Sequence, residues 1–188
     1  MVLPQSFYQQ KTLKIAQSLL GCFLVRKMGK KIIKAMIVET EAYNGPYDKA
    51  SHASIGLTQR NKPMFLPGGF IYVYLTYGMH YMFNIVTEKE GYPAAVLIRA
   101  VEPVEYNFDI RDLKFNGPAR LTKSLKIGKN FNALPIFIKK HNLWLEKKRL
   151  KDFKIVRAER IGIDYAGEPY KSKKWRFYIK GNKFVSKY

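Results

Sequence analysis

Cysteine and histidine are scarce in this sequence, which has one cysteine, Cys22, and three histidines among 188 residues. A single cysteine excludes a disulfide framework and a cysteine-based metal site, and three histidines are too few ligands for another kind of metal site. Long apolar runs are missing as well, since no uncharged stretch approaches the length of a membrane span. The first ten residues lack the charged start and apolar stretch of a signal peptide. We expect a soluble protein of a reducing cytoplasm, associated with the nucleoid in a bacterium, that uses no metal or other cofactor.

Acidic residues are also few, with 14 Asp and Glu against 34 Lys and Arg, which gives a formal net charge of +20. A positive field of this strength favours a polyanionic partner, and nucleic acid is the commonest one. A basic proteome or a need for solubility would explain only part of the excess. Apolar and aromatic residues make up 47 % of the chain, which is well above the composition of disordered proteins. We therefore expect one globular domain over residues 1–188 that binds nucleic acid without a membrane.

Apolar patterning predicts a fold rich in strands. A helical period covers residues 6–20, and a second short helix is expected after Gly117-Pro118, where proline suits the first helical position. Residues 44–69 are rich in Gly, Pro, Ser and Asn and predict a long loop, which is unusual unless it is functional. Strands are predicted in CFLVRKM, KIIKAMIVETEAY, FIYVYLTY, HYMFNIVTE, PAAVLIRAVEP, LWLEKK, DFKIVRAERIGI and KWRFYIKG. The fold class expected from this order is α+β, with a mostly antiparallel curved sheet and a few flanking helices.

Two carboxylates are predicted to share one face of a strand in VETEAY, residues 38–43. Alternation places Glu39 and Glu41 on one face and Val38 and Thr40 on the other. This pair could serve acid–base chemistry, or both glutamates could form surface salt bridges with surplus lysines, which the spacing alone slightly favours. A metal-dependent nuclease would need more clustered carboxylates than these two.

Aromatic side chains crowd the stretch FIYVYLTYGMHY, residues 70–81. Alternation puts Tyr72 and Tyr74 on one face, which in most strands would simply pack on a helix. Gly78 predicts a tight turn that exposes Tyr77 and Met79, as a wedge between bases would require. His52, in the preceding loop, is interpreted either as a packing residue, the more frequent role, or as a hydrogen-bonding wall of a pocket.

The motifs together resemble the alkyladenine (3-methyladenine) DNA glycosylase family. They are VETEAY followed by Gly-Pro, His52, the TQRN segment, MFLPGGFIYVYLTYGM, FNI and VLIRAVEP, and then NGPARLTKSLKI, RIGIDYAGE and KWRFYIKGNKFVS. Their order and spacing cover nearly the whole chain. The resemblance implies a base-excision repair enzyme, acting as a monomer on double-stranded DNA, that flips a damaged purine out of the duplex and hydrolyses its N-glycosidic bond.

The resemblance also implies roles for individual residues. Glu41 matches the general base that activates the attacking water, and Arg99 matches the residue that helps to place that water. Tyr77 matches the intercalating wedge, with Met79 beside it. The implied substrates are 3-methyladenine and 7-methylguanine, and further hypoxanthine and ethenoadenine, and the family uses no metal.

The base pocket follows from the same resemblance. Tyr43, His52 and Tyr74 match the positions that sandwich and contact the flipped base, and Asn84 matches the residue that crowds the amino group of guanine. The sequence TQRN and the run HYMF depart from the pattern and leave the lesion preference open. The alternative is a non-catalytic nucleic-acid-binding domain, which would explain the charge and the rings but not a carboxylate at Glu41.

Overall fold

The computed structural model describes residues 1–147 and 152–186 of the chain, and within them eight strands form one sheet. The strands are β1 (Phe23–Met28), β2 (Lys31–Tyr43), β3 (Ile71–Thr76), β4 (His80–Val86), β5 (Ala95–Tyr106), β6 (Leu143–Glu146), β7 (Ile155–Ala158) and β8 (Arg176–Ile179). The α-helices are α1 (Gln5–Tyr8), α2 (Thr12–Ser18) and α3 (Pro118–Ser124). Short 3₁₀ helices lie at His52–Ile55, Lys62–Phe65, Lys129–Phe131, Lys139–His141 and Asp164–Ala166.

The sheet is antiparallel in every strand pairing of the described residues. Its strand order is β3-β4-β5-β2-β1-β6, and β8 pairs with both β2 and β7. Strands that follow one another in sequence form hairpins. In the β1–β2 hairpin the turn contains Gly29, whose φ is 63°. A positive φ suits glycine because no Cβ clashes there. Each expected strand is present within the described residues, while the last position of LWLEKK, residue 148, lies outside them. The α+β prediction with a curved antiparallel sheet is confirmed.

Strand β2 changes its neighbour halfway along its length. On one side of β2, residues 31–36 pair with β1 and residues 39–41 pair with β8. On its other side, β2 pairs with β5 along most of its length. The register against β5 shifts between Lys34 and Ala35 and again on both sides of Glu39. Such irregularities bend a strand and redirect its side chains. Glu39 and Glu41 therefore lie in a bend of the sheet, between β5 and β8.

The predicted single helix over residues 6–20 is wrong, because the chain forms two short helices there. The carboxylate of Glu88 accepts hydrogen bonds from the backbone nitrogen of Thr12 (2.8 Å) and from its hydroxyl (3.1 Å). This contact satisfies a free amide at the start of α2, which is the function of a helix cap. The backbone of Glu88 also donates to the carbonyl of Tyr8 (3.1 Å), so α1 ends where the chain bends toward β4.

The other predicted helix is confirmed as α3, with Pro118 at its first position after Gly117. The predicted long loop over residues 44–69 contains two 3₁₀ helices and no strand. No helix within the described residues is long and apolar enough to cross a bilayer.

Candidate active site

A cavity of about 490 Å³ opens where β2, β3, β4 and β5 meet the loop of residues 44–69. Its walls combine aromatic rings with a few polar groups. The lining residues are Tyr43, Ala50, Ser51, His52, Arg60, Met64, Tyr72, Tyr74, Thr76, Tyr77, Met82, Asn84, Ala95, Leu97, Arg99, Pro118, Ile161, Gly162, Ile163 and Tyr165. The size and the mixture of rings with polar groups suit a small planar ligand.

One wall consists of rings from β3 and from the loop. Tyr72 and Tyr74 lie on the same face of β3, as the alternation predicts, with their ring centroids 5.3 Å apart. The Nδ1 atom of His52 lies 2.9 Å from the hydroxyl of Tyr72, and its ring meets Tyr74 edge-on at 4.5 Å. His52 is thus a wall of the cavity as well as a packing residue.

The rings of this wall are uncharged near neutral pH. Burial, and then the positive charge of Arg60, lower the pKa of His52 to about 4. Burial raises the pKa of Tyr72 to about 12 and that of Tyr74 above its usual value. Burial and the neighbouring Glu41 raise the pKa of Tyr43 as well. The cavity therefore offers neutral π-faces to its ligand.

Glu41 lies directly behind the lining, completely buried. Its Oε1 atom accepts from the backbone nitrogen of Ile161 (2.8 Å) and lies 3.2 Å from Nη1 of Arg99. Its Oε2 atom accepts from the hydroxyl of Tyr43 at 3.0 Å. All three partners line the cavity, so Glu41 is one contact away from any ligand there.

Glu39 has the same burial and a different set of partners. Its carboxylate accepts from Nε of Arg99 (3.1 Å), from Nη1 of Arg176 (3.1 Å) and from the backbone nitrogen of Ser186 (2.7 Å). The hydroxyl of Ser186 donates to it as well, at 2.9 Å. The interpretation of Glu39 and Glu41 as surface residues paired with lysines is wrong, since both are buried against arginines.

Arg99 connects the two glutamates from β5, the neighbour of β2. Burial alone would lower the pKa of Arg99, but Glu41 and Glu39 together raise it above its usual value. A buried cation flanked by two carboxylates is held in one orientation, because each of its bonded nitrogens has a fixed partner. Glu39 therefore orients Arg99, and Arg99 in turn orients Glu41.

A second buried ion pair supports the Tyr43 wall, and sequence reasoning missed it. The two terminal nitrogens of Arg160, Nη1 and Nη2, donate to the carboxylate of Asp48. The guanidinium carbon lies 4.9 Å from the ring centroid of Tyr43 and 5.0 Å from that of Trp175. Such stacking fixes the plane of an aromatic ring. The sequence signal was Arg160 itself, at the start of the RIGIDYAGE segment, but nothing local showed that it is buried.

Asn84 lies on β4 with its side chain buried at the cavity wall. Its amide nitrogen donates to the carbonyls of Tyr72 (3.1 Å) and Met82 (3.3 Å). Because both donors are directed to the backbone, the side-chain oxygen is the group that remains for a molecule in the cavity.

The turn between β3 and β4 carries Tyr77 and Met79 outward, with 87 % and 69 % of their surfaces exposed. The φ angles of Tyr77 (50°) and Gly78 (68°) are both positive, as in the primed turns that connect the strands of β-hairpins. Tyr77 also lines the cavity mouth, whereas Met79 lies outside the lining.

Tyr165 is a further ring at the cavity mouth that the sequence did not single out. It is 71 % exposed, lines the cavity, and donates its hydroxyl to the carbonyl of Ala50 at 2.9 Å. The sequence signal was its place in the RIGIDYAGE motif, between Gly162 and Gly167, but nothing local showed that the ring borders a cavity. Residues 1–147 and 152–186 contain no cluster of three or more His, Cys, Asp or Glu that could hold a metal ion.

Comparison with known proteins points to one group. A family model described as methylpurine-DNA glycosylase matches residues 6–183. A relative from Borrelia garinii subsp. bavariensis is 47 % identical over 182 residues, which cover 96 % of this chain and 97 % of the relative. One from Legionella pneumophila (strain Corby) is 44 % identical over 98 % of both chains, and one from Bdellovibrio bacteriovorus is 44 % identical over 100 % of both. All three relatives are named as 3-methyladenine DNA glycosylases.

Proposed function

Because this chain belongs to the methylpurine-DNA glycosylase family, we propose that it excises damaged purines from duplex DNA by base flipping and a water activated by Glu41. Family membership makes it a DNA glycosylase for alkylated bases. The proposed substrates are 3-methyladenine and 7-methylguanine, and further hypoxanthine and ethenoadenine. We also propose that residues 1–188 act as one domain and as a monomer, in the compartment that holds the DNA.

One observation carries the proposal: a buried carboxylate, Glu41, lies directly behind a cavity with neutral aromatic walls. A purine in that cavity can stack on Tyr43, Tyr74 or His52, which recovers part of the stacking lost on leaving the duplex. Purines alkylated on a ring nitrogen carry positive charge, so these π-faces also attract them electrostatically.

Flipping needs a group that fills the vacated space in the stack, and Tyr77 has the right position. Its ring is exposed at a turn tip and borders the cavity mouth, so one side chain can occupy the duplex while the extruded base enters the cavity. Met79 at the same tip is the proposed second contact with the bases. The net charge of +20 supplies the attraction to phosphates.

The hydrolysis follows from the partners of Glu41. Its Oε2 atom accepts one hydrogen bond, from Tyr43, and a carboxylate oxygen can accept two, so one lone pair is available for a water. That water attacks C1′ of the sugar, its proton passes to Glu41, and the glycosidic bond breaks with its electron pair leaving on the purine. The carboxylate also stabilises the oxocarbenium character of the sugar, and Arg99 holds Glu41 in place.

The test is release of free base from DNA in EDTA. Wild type should liberate 3-methyladenine from alkylated duplex, and Glu41→Gln should lower the single-turnover rate by at least ~10²-fold while lesion-DNA binding survives. Glu90→Gln is the matched control, because Glu90 is exposed on a loop away from the cavity. A Glu41→Gln enzyme that excises at the wild-type rate would contradict the role of Glu41 in activating the water. A wild-type protein that binds DNA but releases no base would favour the non-catalytic alternative.

A further inference from the structure

Within residues 1–147 and 152–186, Arg60 contributes a positive charge to the cavity that pairs with no acidic residue. It lines the cavity from the loop of residues 44–69, and its guanidinium carbon lies 5.3 Å from the ring centroid of Tyr74. Its Nη2 atom donates to the carbonyl of Leu75 at 2.9 Å, which fixes the head group beside β3. Among the described residues no carboxylate lies within salt-bridge distance of Arg60.

Arg99, the other arginine in the lining, is paired. Glu41 and Glu39 share Arg99, and Glu39 also binds Arg176. Two further acidic residues lie next to the lining in sequence, and both are paired, Asp48 with Arg160 and Asp164 with Lys171. Of the two arginines in the lining, Arg60 is therefore the one whose charge is left to act on a ligand. Its effect is already visible at His52, where this charge adds to burial in lowering the pKa of the imidazole.

Damaged purines fall into two charge classes. Alkylation of a ring nitrogen in the nucleotide gives a cation, whereas a deaminated base such as hypoxanthine, or an etheno adduct, is neutral. An unpaired cation in the wall repels the first class and leaves the second unaffected. It also lies over the ring of Tyr74, so it competes with a cationic base for that negative π-face.

We propose that Arg60 is a specificity-determining residue that shifts excision toward neutral purines and away from cationic ones. The inference rests on the proposed function, since it assigns the substrate class of the same cavity. Arg60 touches neither Glu41 nor Arg99 in any described contact, so its effect is on which base is accepted rather than on the hydrolysis.

The experiment compares single-turnover excision of 7-methylguanine and of hypoxanthine from one duplex sequence, corrected for spontaneous loss. Arg60→Gln should raise the ratio of 7-methylguanine to hypoxanthine excision by about five- to tenfold, the effect of removing one exposed, partly screened charge near the base. Arg60→Lys keeps the charge and should keep the ratio close to wild type. Lys62→Gln is the matched control, because Lys62 is exposed two residues away and does not line the cavity, and its ratio should not move.

Two results would overturn the inference. If Arg60→Gln lowers both rates equally and weakens the salt dependence of binding to undamaged DNA, Arg60 is a phosphate contact only. If Lys62→Gln shifts the ratio as much as Arg60→Gln, the effect belongs to the overall charge and not to the cavity. A wild-type protein that releases none of 3-methyladenine, 7-methylguanine and hypoxanthine would contradict the proposed function itself, which separates that failure from the failure of this inference.

Discussion

The cavity has two regions of opposite character, a buried ionic floor and an exposed rim. The ionic floor consists of Glu39, Glu41, Asp48, Arg99 and Arg160, which are all buried and bonded to one another or to the backbone. The exposed rim consists of Tyr77 and Tyr165 at the cavity mouth and of Met79, which lies outside the lining on the same turn as Tyr77; each residue is at least 69 % exposed. The floor is rich in internal contacts, and the rim makes few.

This difference separates what holds the fold from what meets the ligand. Removing one partner of a buried ion pair leaves an uncompensated charge in a region of low dielectric, so changes in the floor act first on stability. Exposed rings gain little from folding, so changes in the rim should act on DNA and leave stability alone. Variants of each region therefore test the comparison directly.

The largest effect is expected from Asp48→Ala in the ionic floor. This change leaves the guanidinium of Arg160 buried without its carboxylate and removes the acceptor of the Ala50 amide. The free energy of unfolding should fall by about 3–5 kcal/mol, as for other broken buried pairs. Urea unfolding followed by circular dichroism measures this loss.

The matched control for Asp48→Ala is Asp109→Ala. Asp109 binds Arg111 at 2.7 Å, but both side chains are mostly exposed, so the urea midpoint should not change measurably. If the two variants lost the same free energy of unfolding, the buried pair would stabilise the fold no more than the exposed pair does.

Tyr77→Ala tests the exposed rim. The melting temperature should remain that of wild type, because the ring is 87 % exposed. Excision from duplex DNA should fall by about 10- to 100-fold relative to excision of a lesion that is already unpaired, which is the scale of one lost stacking contact. A sharp drop in melting temperature without that selective loss would place Tyr77 in the core.

Asn84→Ser probes the wall between the two regions. Guanine differs from hypoxanthine by one amino group, and stacking alone cannot tell them apart because every base has a π-face. Shortening the side chain should raise the ratio of guanine to hypoxanthine excision by roughly tenfold, a typical value for relieving one steric or hydrogen-bonding mismatch. The ratio is measured in single turnover, and an unchanged ratio would show that guanine is rejected elsewhere.

The smallest effect is a pH dependence of stability from His52. Its pKa is lowered to about 4 in the folded protein, against about 6.5 when exposed, so between these values the unfolded chain binds more protons. Stability should therefore decrease as the pH falls from about 6.5 toward 4, and this residue should add no dependence above that window. The difference in unfolding free energy between pH 7 and pH 5 should be smaller in His52→Gln than in wild type. The same reduction in His80→Gln, whose side chain is exposed, would mean that burial is not the cause.

The sequence was most informative where the physics is local. Alternation along FIYVYLTY placed Tyr72 and Tyr74 on one face, and Gly78 predicted the exposed turn, because both follow from neighbours in the chain. The shared face of Glu39 and Glu41 was also predictable, although the spacing could not show whether it is buried. The resemblance to a known family supplied the site roles, which remain predictions for each residue.

Sequence reasoning failed where distant segments meet. The partners of Asp48 and Glu41 on the far side of the floor, Arg160 and Ile161, lie more than a hundred residues away in the chain. No pattern around an arginine reveals a carboxylate at that distance. The break between α1 and α2 was missed for the same reason, because the cap of α2 is the side chain of Glu88.

The contact between Glu39 and Ser186 spans 147 positions and has a consequence for biosynthesis. During translation β2 is synthesised early, whereas Arg160, Arg176 and Ser186 are added more than a hundred residues later. Until they do, Glu39 has no Arg176 and Glu41 has no amide of Ile161, and non-local contacts of this kind form late. A ribosome that stops before residue 160 therefore releases a basic polypeptide without Arg160, Ile161, Arg176 and Ser186, in which the ionic floor cannot form.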